Sequence, residues 1–306
     1  MLVRKLILAL LWTSIAMIEI LFISCCLRAQ VVRRGEEMGK PPKLEIELQL
    51  FKTQYLLREP IWARCKVTNV GTEPGKFYFD NLDALVIMDS KGKVYPCSMA
   101  IERVPITIKP GQTLEKEGNL FTYYYGIPEN KFKIHRYLPL EKYSIYYELD
   151  QSVGSDNYRV KAKSKPYTFD VLNPEGNELK AMNLLKESYD LLVEKKNNWP
   201  KSLEKLIELT TNYPKSRYLP HALLEIASTY KIHMKDSAKT LETYQKIIQN
   251  YPESREAVMV LSYLVHYYKT KPDIPGLINY LNDLIKKHPD TEVAKEAKKE
   301  LAKIKE

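Results

Sequence analysis

The sequence lacks the short motifs that carry chemistry in several large enzyme classes. It contains no HExxH helix, no GxSxG elbow, no phosphate-binding loop and no GxGxxG turn after a strand. Its 5 histidines show no spacing typical of metal ligands. The sequence therefore predicts a protein without catalytic residues, cofactor or metal site.

Positive charge is not concentrated in any part of the chain, although the formal net charge is +9. Residues 1–42, 43–171 and 172–306 share this excess equally, with about +3 each. A nucleic-acid-binding protein would be expected to gather lysine and arginine on one face or in one run. Here lysine alternates with glutamate, as in the closing stretch EVAKEAKKELAKIKE. The pattern predicts solvated helix faces and no nucleic-acid partner.

Cysteine is scarce, with 4 residues in the chain of 306. Cys25 and Cys26 follow an N-terminal apolar run, and only Cys65 and Cys97 lie further along. In an oxidising compartment, two cysteines of one small β domain could form a disulfide. A pair of buried free thiols is the alternative, and the sequence leaves both open.

The N-terminus carries a predicted export signal. Arg4 and Lys5 precede a mainly apolar run over residues 6–24, which is the arrangement of a signal peptide. The run also approaches the length of a membrane-spanning helix, so a retained anchor is an alternative. In either case we expect an exported protein, periplasmic or anchored to a membrane and facing the periplasm.

The end of the apolar run offers two cleavage sites. The segment FISCC at 22–26 resembles a bacterial lipobox, which would make Cys25 the lipidated residue. Cleavage after Ala29 without lipidation is the alternative. We assign residues 1–26 to a signal peptide or membrane anchor. The polar residues 27–42, which end in two prolines, are predicted to be a linker.

Residues 43–172 have the alternating pattern of a β domain. Apolar residues alternate with polar ones over 44–50 and again over 61–67. Turn sequences at 89–93 and 109–112 separate further β-rich runs. The spacing predicts roughly seven to nine short strands in an antiparallel β-sandwich.

Three motifs in this region carry a family resemblance: EPI at 59–61, VTNVG at 67–71 and IKPGQ at 108–112. Together they resemble the immunoglobulin-like accessory domains of exported bacterial proteins. The resemblance implies an immunoglobulin-like β-sandwich over residues 43–172, and it implies little about function.

Residues 173–306 change to helical periodicity. Three helix-like segments end in an aromatic residue followed by proline, at Tyr213-Pro214, Tyr251-Pro252 and His288-Pro289. The prolines are 38 and 37 residues apart. A fixed period in this range predicts a helical-repeat solenoid, which offers binding surfaces rather than chemistry.

The helix pairs resemble tetratricopeptide repeats. With Pro252 as the closing proline, Tyr244 lies at the large aromatic position and Ile247 at the small-residue position. The chain departs from the pattern because larger aliphatic residues replace alanines and the repeats are about four residues longer. The Tyr-Pro-x-Ser ending is similar to that of envelope tetratricopeptide lipoproteins. The resemblance implies about three helix pairs followed by a cap helix over the last residues.

A partner of such an array would contact the concave surface lined by the first helix of each pair. Six residues on faces turned away from the packed stripe are the predicted partner-binding candidates: Lys186, His221, Glu225, Thr229, Ser262 and His266. Repeats without convergent titratable groups predict a non-enzymatic scaffold that docks a protein partner in the cell envelope.

The tyrosine content supplies an alternative function. The chain has 22 tyrosines against 7 phenylalanines, and Tyr143, Tyr146 and Tyr147 lie in one predicted strand. Neighbouring residues of a strand face opposite sides, so at least one of these rings should face outward. An outward tyrosine surface would suit a glycan- or peptidoglycan-binding accessory protein.

Overall fold

The computed structural model describes residues 40–79, 84–96, 104–120, 138–153, 158–193, 198–270 and 273–305. The predicted signal or anchor segment with Cys25, most of the linker and Cys97 lie outside these ranges. Among the helices that are described, none has the length and apolar character needed to cross a membrane.

A β-rich region precedes a helical region, as predicted. The described part of the chain contains eleven strands: β1 (Leu44–Leu50), β2 (Gln54–Leu56), β3 (Trp62–Asn69), β4 (Gly75–Phe77), β5 (Leu85–Asp89), β6 (Val94–Pro96), β7 (Ile106–Ile108), β8 (Thr113–Asn119), β9 (Glu141–Val153), β10 (Tyr158–Lys163) and β11 (Tyr167–Leu172). The number exceeds the predicted seven to nine because four strands have only three residues. Such short strands leave no periodic pattern in a sequence.

The strands form three sheets that enclose one hydrophobic core. The first has the order β1-β3-β8, and the second the order β2-β11-β9-β5-β6 with β10 also paired to β9. Strands β4 and β7 form a separate ribbon. Alternation along β9 turns Tyr143, Ile145, Tyr147 and Leu149 into the core, while Tyr146 lies on the other, partly exposed face.

The prediction of a wholly antiparallel arrangement is wrong at one pair. Strand β2 runs parallel to β11, with Gln54 opposite Asp170 and Leu56 opposite Leu172. More than a hundred residues separate these strands, so no hairpin turn imposes an antiparallel direction on them. The sequence pattern of a three-residue strand contains no information on its direction.

The described residues after the strands form seven helices: α1 (Gly176–Val193), α2 (Trp199–Asn212), α3 (Leu219–Thr229), α4 (Ser237–Asn250), α5 (Arg255–Thr270), α6 (Ile274–Lys287) and α7 (Glu292–Lys305). Each helix packs on the next, and α3 also contacts α5, as α5 contacts α7. The helices therefore form three consecutive pairs and a terminal helix, stacked as in a solenoid.

A π-helical turn over Tyr230–Met234 prolongs α3, and Lys235 follows it in the left-handed conformation with φ 52°. Part of the extra length of the second repeat lies in this turn, because π-helical segments add residues to an α-helix. The helical interior consists of two apolar clusters, one among α1–α3 and one among α3–α7. Leu56 of β2 packs against the first cluster, so the β-rich region contacts the repeats directly.

Candidate partner-docking site

The aromatic-proline motif forms the same turn three times. Tyr213, Tyr251 and His288 each end a helix with φ near −130°, and each backbone N–H donates to the carbonyl four residues earlier. The proline that follows disfavours helical backbone at the residue before it, which explains why the helix ends there. The carbonyls of the same three residues accept hydrogen bonds from the backbone N–H groups of Ser216, Ser254 and Thr291.

In two of the three repeats, the serine or threonine two positions after the proline caps the start of the next helix with its hydroxyl group. Ser254 Oγ accepts from the backbone N–H of Ala257 at 3.1 Å, and Thr291 Oγ1 accepts from that of Ala294 at 3.3 Å. Serine and threonine are preferred at this position because they satisfy a backbone donor that the helix leaves unpaired. The motif therefore specifies both the end of one helix and the start of the next.

The residue that follows Ser216, Ser254 or Thr291 in each turn lies at the junction with the β-rich region. These equivalent residues are Arg217, Arg255 and Glu292. Arg217 pairs with Glu59 of the β2–β3 turn at 2.7 Å. The neighbouring Tyr218 hydroxyl donates to the carbonyl of Leu57 at 2.6 Å. The repeated turn thus places a row of polar side chains against the β-rich region.

Arg255 is the most connected residue of this row. Its Nε donates to Glu117 Oε1 of β8 at 2.7 Å, and its Nη2 contacts the same oxygen. Its Nη1 donates to Glu292 of α7 at 3.1 Å, and the guanidinium lies 4.2 Å from the centre of the Phe51 ring. Only 8% of the Arg255 side chain is exposed. One cation therefore joins the first sheet to two helices of the array.

The pKa of the Glu292 carboxyl is lowered at this position. The main cause is its hydrogen bond with Lys295, and the positive charge of Arg255 adds to the effect. Glu292 is thus held as a carboxylate that accepts from both cations.

A second contact across the junction joins Trp62 of β3 to Glu256 of α5. The indole Nε1 donates to the carboxylate Oε1 at 3.1 Å, and both residues are buried. Burial raises the pKa of the Glu256 carboxyl, because removal from water disfavours its charged form. The tryptophan N–H offsets part of that penalty.

Among the described residues, two clefts open along the junction. The larger, which we call the α5–α7 cleft, has a volume of about 810 Å³. Its β wall includes Trp62, Arg64 and Glu117, and its helical wall includes the residues Met259, Ser262, Tyr263, Glu296, Lys299 and Lys303. The smaller, of about 640 Å³, lies around Pro252 and is lined by residues that include Phe51, Tyr55, Glu59, Arg217 and Glu256.

The structure places two predicted partner-binding residues in the interior. His221 and Thr229 are both about 8% exposed, so the prediction that they lie on an open surface is wrong. A first helix of the array packs against its own partner and against the neighbouring pair. Two faces of such a helix are therefore buried, whereas the apolar periodicity of the sequence indicates only one of them.

His221 has a defined structural environment. Its Nε2 and the Tyr189 hydroxyl form a hydrogen bond of 2.5 Å, and its Nδ1 has no hydrogen-bond partner among the described residues. Burial lowers the pKa of His221 to about 4. This histidine is therefore neutral at physiological pH and joins α3 to α1.

The other four candidates lie at different places along the array. Glu225 lies 3.7 Å from His221 and is largely buried, with 18% of its side chain exposed. Lys186 is exposed on α1 and pairs with Asp190 at 2.7 Å. Ser262 and His266 are exposed on α5, and of the two only Ser262 lines the α5–α7 cleft. Partner binding by any of them stays a prediction.

Neither predicted cysteine site is tested by the described residues. Cys65 is fully buried in β3 as a free thiol, and burial raises its pKa to about 12. The predicted disulfide partner Cys97 and the predicted lipidation site Cys25 lie outside the described ranges. No group of three or more metal-ligating side chains occurs in the part of the chain that is described.

No sequence pattern predicted the four junction residues Trp62, Glu117, Arg255 and Glu256. The sequence did contain one signal. A charged residue follows the serine or threonine of all three turns, as arginine in two of them and as glutamate in the third. Such a repeated charge next to a helix start indicates a contact outside the helix. The partner strand could not be identified from the sequence.

Comparison with known proteins supports one part of this description. Residues 221–254 match the family model described as tetratricopeptide repeat. The matched segment runs from the start of α3 to the turn before α5. No curated protein matches the sequence.

Solved structures give only partial alignments. A β-glucosidase from Listeria innocua aligns with a TM-score of 0.26 and 11% identity, over 44% of this chain and 16% of its own. The sporulation control protein Spo0M from Bacillus subtilis aligns with a TM-score of 0.24 and 12% identity, over 49% of this chain and 55% of its own. The chain thus spans about a sixth to a half of the length of these structures. At such TM-scores the alignments support no inference about fold or function.

The family match and the stacked helix pairs agree with each other. The helical half of this chain contains a tetratricopeptide-repeat region.

Proposed function

We propose that this chain is a non-enzymatic scaffold of the cell envelope that docks a protein partner through its helical-repeat array. The observation that carries the proposal is the tetratricopeptide match over residues 221–254, since such repeats act as protein-interaction surfaces. The α5–α7 cleft adds an open groove beside the array. The β-rich region is proposed to be an immunoglobulin-like sandwich that braces the repeats.

The proposed location rests on the N-terminal sequence. A charged start followed by an apolar run over residues 6–24 supports export, and the lipobox-like FISCC supports lipidation at Cys25. In this proposal residues 27–42 are a tether that holds the two folded regions at the periplasmic face of a membrane. Labelling with a lipid analogue tests the proposed lipidation of Cys25. Cys25→Ala is the control variant, which should show no labelling.

The glycan- or peptidoglycan-binding alternative has less support. It depends on tyrosines that face outward, yet Tyr143 and Tyr147 are buried in the core and only Tyr146 of this group faces solvent. Tyr146 also lies under Lys163, whose Nζ is 3.8 Å from the ring centre. The described β-rich surface therefore offers no row of exposed rings on which sugars could stack.

The test of function is affinity capture of the full chain from crosslinked envelopes, followed by mass spectrometry. We expect specific proteins whose crosslinks map to helices α1–α7. A parallel sedimentation assay with purified peptidoglycan sacculi examines the alternative. Recovery of no protein above background, together with co-sedimentation of the chain with sacculi, would replace the scaffold proposal with the alternative.

A further inference from the structure

The α5–α7 cleft has walls from both halves of the chain. Its β wall is the outer face of β3 and β8, and its helical wall is formed by α5 and α7. The Trp62–Glu256 hydrogen bond and the ion pair between Arg255 and Glu117 join the strands of one wall to helix α5 of the other. Removal of either half would therefore remove one side of the cleft.

The size of the cleft favours an extended occupant over a helix. Its volume of about 810 Å³ lies within the range of roughly 300–1,000 Å³ that is typical of specific ligand sites. A helix about 10 Å across would fill that volume in roughly two turns, which is too short for a stable docking element. An extended peptide of several residues fits the same space.

Accessible apolar surface in the cleft comes from α5. Tyr263 is 42% exposed, and Met259 beside it is half-buried. The ring of Tyr263 packs at 5.9 Å from that of Tyr244, which fixes its position. A rigid, half-exposed tyrosine in a concave site is a typical anchor for an apolar side chain of a partner.

The most exposed charged side chains of the cleft are positive. Lys299 and Lys303 have 54% and 60% of their side chains exposed, whereas Glu296 and Glu300, which pair with them, have 24% and 14%. Lys231 places its Nζ 5.3 Å from the centre of the Tyr263 ring. The ammonium groups therefore reach further into solvent than the carboxylates.

The carboxylates of the β wall are neutralised within the structure. Glu117 pairs with Arg64 at 2.9 Å and with Arg255. Glu115 pairs with Arg64 at 3.2 Å and with Lys66 at 3.8 Å. Exposed lysines on α7 thus face a β wall whose negative charges already have partners, and charge complementarity favours an anionic occupant.

We propose that the α5–α7 cleft docks an extended, acidic segment of a partner protein. An apolar side chain of that segment packs on Met259 and Tyr263, and its carboxylates face Lys299 and Lys303. This inference rests on the proposed scaffold function and deepens it, because it names the docking place and the chemistry of the partner. The β wall makes the site a property of the whole chain rather than of the repeats alone.

The test uses a bead-displayed library of random decapeptides and the purified full chain. We expect enrichment of peptides that combine aspartate or glutamate with an aromatic or aliphatic residue. A fluorescent peptide from the enriched pool should bind about 10-fold more weakly to the K299E/K303E variant, since two ion pairs become repulsive. Tyr263→Ala should weaken binding by a similar factor, and added salt should weaken it further.

The matched control is the K286E/K287E variant, which reverses two charges on α6 outside the cleft. Its affinity should stay within about twofold of the unmodified chain, as expected for surface charges remote from the site. Circular dichroism and thermal unfolding confirm that each variant is folded. Enrichment of neutral or basic peptides, or no enrichment at all, contradicts the proposal, as does an equal loss of affinity in both variants.

The outcomes also separate this inference from the scaffold function. If envelope proteins crosslink to the array of the full chain and their yield is unchanged in K299E/K303E, the scaffold function stands and the cleft is the wrong site. If neither crosslinked proteins nor acidic peptides are recovered, both proposals are wrong.

Discussion

Trp62 and Glu256 are 194 residues apart in the chain and form a hydrogen bond of 3.1 Å between the indole Nε1 and the carboxylate Oε1. Both side chains are buried, Trp62 at 7% exposure and Glu256 at 6%. One belongs to the first β-sheet and the other to the start of α5. This contact joins the β-rich region to the repeat array beside the α5–α7 cleft, which Trp62 lines.

Replacement of Trp62 by phenylalanine should destabilise the protein by about 1–3 kcal/mol, because the buried Glu256 carboxylate loses its donor. Urea unfolding followed by far-ultraviolet circular dichroism measures the loss. Adding Glu256→Met to this variant should recover part of the stability, since the unpaired carboxylate is then gone. Trp199→Phe, on a half-buried tryptophan of α2, is the control. Equal losses in the two tryptophan variants would contradict the assigned role.

Arg255 and Glu117 should show a coupling free energy of about 1–3 kcal/mol in a double-mutant cycle of alanine substitutions. Burial of the pair explains the size, because little water remains to screen the two charges. The comparison pair is Lys287 and Asp283 on α6, which are 62% and 55% exposed. Their coupling should be only about 0.3–0.5 kcal/mol. A coupling near zero for Arg255 and Glu117 would mean that the ion pair does not hold the junction.

Glu256 should make the protein less stable as the pH rises. Burial raises the pKa of Glu256 in the folded state, so folding favours its protonated form. The stability gained from protonated Glu256 is fully present below the pKa of about 4.3 in the unfolded chain. It is lost as the pH rises through the pKa of the folded state. The free energy of unfolding relative to Glu256→Gln should therefore fall as the pH rises above about 4. A constant difference would contradict the prediction, and Glu253→Gln is the exposed comparison variant.

His221 should have the opposite effect. Its pKa is lowered to about 4 by burial, so folding favours the neutral imidazole. The stability gained from the neutral His221 ring is fully present above the pKa of about 6.5 in the unfolded chain. It is lost as the pH falls towards 4. Relative to His221→Gln, the unmodified chain should lose up to about 3 kcal/mol over that interval. His266 is exposed, and His266→Gln is the comparison variant. If both substitutions changed the pH dependence of unfolding in the same way, a buried, neutral His221 would be excluded.

Lys235→Gly should stabilise the protein by about 0.5–1 kcal/mol. Lys235 is exposed and has φ 52° and ψ 31°, where a side chain with a Cβ atom is strained and glycine is not. Lys235→Ala keeps the Cβ atom and should give no gain. Thermal unfolding of the three proteins measures the difference, and equal stability of the glycine and alanine variants would contradict the prediction.

The sequence supported the order of a β-rich region before a helical region because each has its own period. Alternation over 44–50 and 61–67 places one set of side chains in a core, as the structure confirms for Ile46, Cys65 and Val67. The aromatic-proline motif predicted the ends of three helices, since proline restricts the residue before it. These features depend on neighbouring residues only.

The burial of His221 could not be predicted from the apolar pattern of α3. Periodicity identified one apolar stripe on α3, and His221 lies outside that stripe. In the stack a second face of the same helix packs against α1, where the Tyr189 hydroxyl meets the His221 ring. A helix buried on two faces can carry a polar residue in its second contact when that residue finds a partner there, as His221 Nε2 does.

The two kinds of structure, the period of the repeats and the turns that end three of the helices all follow from local sequence. Backbone restrictions and side-chain periodicity act over a few residues, so they can be recognised in a short segment of the sequence. The contacts of Arg255 with Glu117 and of Trp62 with Glu256, and the cleft between the β-rich region and the helices, arise only when the chain is folded. These contacts depend on how two separately patterned regions pack together. That packing is set by the shape and charge of whole surfaces, which no local pattern records.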